Sequence, residues 1–367
     1  MVTNASTFEL NQPAASAAPP FHVRRANHGD PKDREAVLAI LRPYFEMVPG
    51  GEDAEARYRW LYLDNPAGLA RTYLALDSAS GAAVGITSLF PRAVQVGDER
   101  VIGAIGGDAF VTPSFRRRGI VTQLHRLAHE DLDGGLAFMF GPPEPNNLRA
   151  LLQAGAEITG SVRRYTRPLR AKGLGRAAAR VPARMLDALT WVLGPMRSKL
   201  TLERLEATPD PRVTEVWQQT LHAVKDERLV IPARDAAFYA WRFGRSVAGR
   251  QLGYVVLDRG RPIGVVALER SKDGRRVGIV DLTCPPAAFR SALRGVLHAS
   301  RDADAVEIQI HVPSRLKEAH LASFGFISRG TKPFQVQFKE SYSGRAAITQ
   351  ADAWNYMWGD GDVDHVL

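Results

Sequence analysis

Val111-Thr112-Pro113-Ser114-Phe115-Arg116-Arg117-Arg118-Gly119-Ile120-Val121 reads as the end of a strand turning into a helix. Upstream, Val101 to Phe110 (VIGAIGGDAF) is apolar and β-branched enough for a buried strand, and Pro113, which has no N–H, ends its ladder. Downstream, Ile120, Leu124, Leu127 and Leu132 recur near helical spacing, so a helix is expected to start at about Gly119. A helix N-terminus presents unpaired N–H groups and a positive dipole end, worth roughly 0.3–1 kcal/mol to a nearby anion. Arg116 and Arg118 add full charges, which makes the turn a candidate pyrophosphate site. The alternative is an ordinary solvated turn, because arginines before a helix are common at surfaces.

The neighbourhood resembles the GNAT family of acyl-CoA-dependent N-acyltransferases, whose signature runs Val-x-Pro, two residues, then Arg/Gln-x-x-Gly-x-Gly/Ala. Val111, Pro113, Arg116 and Gly119 match it, and Val121 stands where the family usually has Gly or Ala. Tyr58-Arg59-Trp60-Leu61-Tyr62 with Asn65-Pro66 is similar to the Trp-x-Tyr-x-x-Asn-Pro run of a bacterial subgroup often associated with polysaccharide gene clusters. Leu136 to Phe140 is a short apolar strand, and Gly141 to Gly155 (GPPEPNNLRALLQAG) resembles the family's last strand-to-helix element. The resemblance covers about residues 22–167.

The resemblance implies an α/β fold with a mixed, mostly antiparallel sheet flanked by helices. It also implies acetyl-CoA or another acyl-CoA as co-substrate, held in a V-shaped opening between two central parallel strands, with an acceptor amine attacking the thioester directly. On this chain the backbone of Phe110 and Val111 would bind the pantetheine amides. The turn of Arg116, Arg117, Arg118, Gly119, Ile120 and Val121 would bind the pyrophosphate, and Thr122 would add a hydroxyl. The amine must lose a proton, so a carboxylate or a water it holds is needed near the opening. Asp108 is the first candidate, and its alternative is a carboxylate satisfied by neighbouring loop amides. Many relatives use a tyrosine on the last helix as general acid. Here that helix offers Asn146, Asn147 and Leu151, leaving Asn147, a water or a group from elsewhere in the chain.

The chain then repeats itself. Tyr239-Ala240-Trp241-Arg242-Phe243 mirrors Tyr58 to Tyr62, and Tyr254 and Asp258 stand 181 residues after Tyr73 and Asp77. Gly264 answers Gly85, two residues out of step. Val277 to Leu282 with Cys284, Pro285 and Pro286 parallels Ile105 to Pro113, Asp281 answers Asp108, and Ala319 to Phe326 parallels Ala150 to Ala156. After Pro286, however, no Arg-x-x-Gly opens the helix. A second copy of the fold without the phosphate turn is expected, shaping the acceptor pocket or a homodimer surface. Trp60 and Trp241 recur at one structural place, which favours core packing over ligand stacking.

The expected organisation is a leader over 1–21, a first domain over 22–167, a basic linker over 168–205, a second domain over 206–340 and a tail over 341–367. Between Arg163 and Arg204 eleven Lys/Arg face only Asp187 and Glu203, which accounts for the whole net charge of +9. With Met185, Leu186, Leu189, Trp191, Val192 and Leu193 the segment is amphipathic. It either docks on the protein's own domains or, through residues 163–204, meets an anionic membrane or phosphate-bearing acceptors. Nothing accompanies the charge that would point to nucleic acid. Cys284 is the only cysteine, so neither an internal disulfide nor a cysteine-held zinc is expected. No window approaches the roughly 20 apolar residues of a membrane span and the leader lacks a signal pattern, so a cytoplasmic or membrane-peripheral setting is expected.

Trp354 to Leu367 (WNYMWGDGDVDHVL) sets aromatics beside Asp360, Asp362 and Asp364. It lacks the downstream glutamate of a calcium loop, so no metal is expected. It is either a solvated acidic tail or one that docks back, anchored by Trp354, Tyr356 and Trp358, to present Asp360 or Asp362 to a cationic acceptor. The function expected first is an acetyl-CoA-dependent N-acetyltransferase acting on a small-molecule or saccharide amine, such as an amino sugar. The alternatives are FemA/FemB-like aminoacyl transfer, against which the Arg116–Gly119 turn argues, and a non-catalytic acyl-CoA-binding scaffold or sensor.

Overall fold

A computed structural model describes residues 20–47, 53–133, 135–170, 200–227, 229–245, 249–312 and 320–361. The leader up to residue 19, most of the basic linker (171–199) and Asp362 onward lie outside the described residues.

In the first half the strands are β1 (Phe21–Arg25), β2 (Arg71–Asp77), β3 (Ala83–Val96), β4 (Glu99–Val111), β5 (Phe138–Gly141) and β6 (Glu157–Pro168). The second half contributes β7 (Leu200–Arg204), β8 (Val230–Pro232), β9 (Gln251–Asp258), β10 (Arg261–Arg270), β11 (Arg276–Thr283), β12 (Glu307–Val312) and β13 (Ile327–Phe338). The helices that matter here are α1 (Pro31–Met47), α2 (Ala54–Arg57), α3 (Ile120–Glu130) and α4 (Pro145–Gln153).

These strands form one sheet in the order β1-β2-β3-β4-β5-β13-β6-β12-β11-β10-β9-β7, with β8 added to β3. Among the described strands only β4–β5 and β11–β12 pair in parallel. Two separate sheets are not what results, because the halves exchange their last strands. β13 pairs with β5, and β6 pairs with β12. The resulting middle of the sheet is antiparallel from β5 to β12, so the exchange satisfies edges that each half would otherwise expose.

The opening stretch folds as its residues dictate. β4 stops at Val111, Pro113–Phe115 makes one 3-10 turn, and α3 begins at Ile120. Gly119 sits at φ 77°, left-handed backbone in which a side chain is strained. Gly85 on β3 lies under this turn. A Cβ there would come within 2.9 Å of Ile120, so glycine lets the first turn of α3 press onto the sheet.

The aromatic helices of both halves end in a π-helical turn, at Tyr58–Leu63 and Ala240–Gly244. Trp60 and Trp241 are buried there at 3% and 5% exposure and face each other at 5.6 Å. Each indole N–H donates to the other's carbonyl, Trp60 Nε1 to Trp241 O at 3.0 Å and Trp241 Nε1 to Trp60 O at 2.8 Å. One continuous core cluster runs from Val37 and Leu41 through Tyr58 and Trp60 to Val213, Trp241 and Val280. The halves therefore share a core. Trp60→Phe removes one of the reciprocal bonds; chemical denaturation is expected to show a loss of about 0.5–1.5 kcal/mol.

Candidate active site

β4 and β5 touch only at Ala104↔Met139 and Ile105↔Phe140, then part. Just beyond, the β3–β4 register slips between Ile86 and Ser88, and the bulge carries Asp108 at φ 49°. Bulges bend a strand and re-aim its side chains, and here the bend turns β4 away from β5. Between the strands lies a cleft of about 790 Å³. Gly106 to Ala109 line one wall, Gly141 to Pro143 the other, and Val121, Thr122, His125 and Asn147 cover it from α3 and α4.

The cleft passes through the sheet. Met139 packs with Ile120 and Leu124 of α3, whereas its neighbour Phe140 packs with Trp354 and Tyr356. Successive strand residues point to opposite faces, so α3 with its arginine turn lies on one face and the C-terminal segment on the other. Tyr356, Trp358 and Gly361 line the same cleft, as do Gln335 of β13 and Arg250. The tail thus docks back, with Trp354, Tyr356 and Trp358 all buried.

Of the residues singled out in the sequence, Asp108, Val121, Thr122 and Asn147 meet at the cleft. Arg116, Arg117, Arg118 and Gly119 are exposed at the start of α3, outside its lining. Arg116 Nε donates to Val111 O at 3.0 Å, and an Arg118 guanidinium N–H donates to Ser114 O at 3.2 Å, so both side chains fold along their own loop. Phe110 and Val111 pair with Ile86 and Gly85 of β3 and do not line the cleft. Thr122 Oγ1 lies 3.3 Å from Gln153 Oε1.

Asp108 is not a free carboxylate. Arg57 pairs with its Oδ1 at 3.0 Å and Tyr62 donates to its Oδ2 at 2.7 Å, all three being buried. Burial, with the Asp108 charge beside it, raises the Tyr62 phenol well above its ordinary pKa, so it stays a donor. The second half holds the same three residue types, with the tyrosine drawn from the position that answers Tyr58 rather than Tyr62. The β10–β11 register slips between Ala267 and Leu268, and Asp281 at that bulge accepts from Arg234 Nε at 2.5 Å and Tyr239 at 2.5 Å. In both halves the arginine precedes the tyrosine by five residues, Arg57 to Tyr62 and Arg234 to Tyr239. That repeated spacing was the one sequence signal that could have found these partners.

Asp360 does not line the cleft. It is 1% exposed, with Oδ2 2.6 Å from Arg234 and Oδ1 3.7 Å from Arg92, because a buried carboxylate is tolerable only beside counter-charges. Asp362 lies outside the described residues. His125, which the sequence did not mark, is buried beneath the cleft, and its Nε2 lies 2.8 Å from Asn147 Oδ1. Burial lowers its pKa, so the ring is neutral at pH 7 and Nε2–H is the donor that an amide oxygen requires.

His311 of β12 stacks on Trp358 at 4.6 Å, and burial, with Arg164 and Lys332 nearby, pushes it down to about 4. A histidine whose folded pKa lies below its unfolded value loses stability as pH falls from about 6.5 toward 4, here by roughly 3 kcal/mol. Denaturation curves across that range are expected to show the loss, and His311→Gln to flatten it.

Solved structures similar to this chain include a GCN5-related N-acetyltransferase from Anabaena variabilis, 17% identical, covering 86% of this chain and 72% of that one at a TM-score of 0.60. A GCN5-related N-acetyltransferase from Kribbella flavida is 15% identical, with 90% and 74% covered and a TM-score of 0.59. Saccharomyces cerevisiae N-myristoyltransferase with bound myristoyl-CoA and inhibitors is 13% identical, with 90% and 82% covered at 0.54. The chain has the GNAT fold. No family model and no curated protein matches it.

Proposed function

We propose that the protein is an acyl-CoA-dependent N-acyltransferase whose first half binds the acyl-CoA. The observation that carries this reading is the open cleft between β4 and β5 with an arginine-bearing helix start on one of its faces. Thiolester and pantetheine would lie along the bulged segment of β4, the pyrophosphate at Arg116–Thr122, and the acceptor would enter from the face that carries the tail. Attack of a neutral amine on the thioester carbonyl forms the amide and releases the CoA thiolate. Asn147, its oxygen held by His125, can turn its N–H toward that sulfur.

Among the described residues an Asp–Arg–Tyr cluster stands in each half, beside the cleft in the first and beside the tail in the second. We therefore assign Asp108 to holding the bulge rather than to proton abstraction, and leave the base to a cleft water or a tail carboxylate such as Asp362. An acetyl donor and an amino-sugar acceptor are what the sequence resemblance implies, and the reading of 22–167 and 206–340 as two copies of the fold rests on the internal repeat. The contact of the basic segment with an anionic membrane falls largely on residues outside those described. Among the described residues no helix is long and apolar enough to cross a membrane.

Calorimetry with acetyl-CoA, followed by thiol release over a panel of primary amines, tests the proposal. Binding together with amine-dependent thiol release is expected. Binding without release would leave an acyl-CoA sensor, and no binding would overturn both.

A further inference from the structure

The two parallel strand pairs differ in what fills the gap beyond them. β4 and β5 part after Ile105 and leave the cleft. β11 and β12 part after Ile279↔Ile310, and the chain's own tail lies there. Trp358 stacks on His311 of β12. Gly359 stands against β11, where an added Cβ would come within 3.3 Å of Val280 and 2.8 Å of Phe243. Its carbonyl accepts from Arg92 and Arg242, each at 3.2 Å. Asp360 then joins Arg234, which in turn holds Asp281 at the bulge of β11, and accepts the Met357 N–H at 2.8 Å. Arg92 belongs to β3, so this anchor ties the tail to both halves.

We propose that Asp360 is a positioning residue: by anchoring the tail in the gap of the second half, it fixes Tyr356 and Trp358 as the acceptor-side wall of the cleft in the first half. The argument is one of geometry. The anchor and the cleft wall are consecutive residues of one segment, so neither can shift without the other. The arginine turn that serves the acyl-CoA lies on the opposite face of the sheet and shares no residue with the tail.

The test compares Asp360→Asn, which weakens the anchor, with Gly359→Ala, whose methyl group pushes against Phe243. Hydrogen exchange by mass spectrometry on the full chain is expected to show the amides of 355–361 losing protection in both, while those of 104–111 keep theirs. For the best amine of a panel of glucosamine, lysine and ethanolamine, KM is expected to rise by about ten-fold or more, with the acetyl-CoA KM unchanged within about two-fold. Retained protection of 355–361 in both variants overturns the proposal, as does a parallel rise in both KM values. If Asp360→Asn unfolds globally, Gly359→Ala decides alone. The KM comparison rests on the acyl-CoA reading and the exchange measurement does not. A protein that takes up no acetyl-CoA in calorimetry would sink that reading and leave the anchor to be judged by exchange.

Discussion

Asp108→Ala is expected to destabilise the protein by about 3–5 kcal/mol, the cost of removing one partner from a buried ion pair and leaving the other charge behind. Arg57, 4% exposed, keeps its charge but loses the carboxylate at 3.0 Å, and the Tyr62 hydroxyl loses its acceptor. Chemical denaturation measures the loss. A comparison sharpens it. Asp108→Leu combined with Arg57→Leu is expected to recover much of the loss, since apolar replacement of both partners leaves neither buried charge behind. Asp108→Asn keeps acceptor capacity on the bulge. If that variant stays folded and turns over amine, Asp108 is a structural residue; if it is folded and inactive, the assignment to the bulge is wrong and Asp108 is the base.

The second large effect concerns the turn at 116–119. Arg116→Ala with Arg118→Ala is expected to weaken acetyl-CoA binding about 100-fold, if each charge-assisted contact to phosphate contributes roughly 1.5 kcal/mol. The side chains are exposed and bond only to carbonyls of their own loop, at 3.0 and 3.2 Å, so stability is expected to change little. The wild-type affinity should fall more steeply with added salt than the variant's, which keeps Arg117, because exposed charges are screened over about 8–10 Å at physiological salt. A variant that binds acetyl-CoA as tightly as the wild type would return the turn to an ordinary solvated surface.

Much of the fold was written in local patterns. The strand over 101–111, the helix start at Gly119 and the recurrence of Tyr58–Tyr62 as Tyr239–Phe243 all depend on residue type at short spacing, and each is where the pattern put it. The packing role of the two tryptophans followed from their repetition. What was not legible is pairing across long separations. No local pattern says that it is β13 and not β6 that pairs with β5, or that Asp360 meets Arg92 across 268 residues. His125 escaped notice for the same reason. On α3 it reads as one more buried position, and only the packing of α4 brings Asn147 to its Nε2.

By itself the sequence determined which backbone segments become strand, turn and helix, that the aromatic run occurs twice, and that only one half carries the arginine turn. Periodicity, glycine at the helix start and proline at the strand end act through steric and hydrogen-bonding rules that span a few residues. Tertiary structure alone decided that the halves share one sheet and one core, that Asp108 is committed to Arg57 and Tyr62, and that the segment from Trp354 to Asp360 is a buried strut along the cleft. These outcomes turn on desolvation. A carboxylate that in the chain could have been a solvated acid or a catalyst becomes an ion-pair partner once burial removes its water and packing sets an arginine beside it.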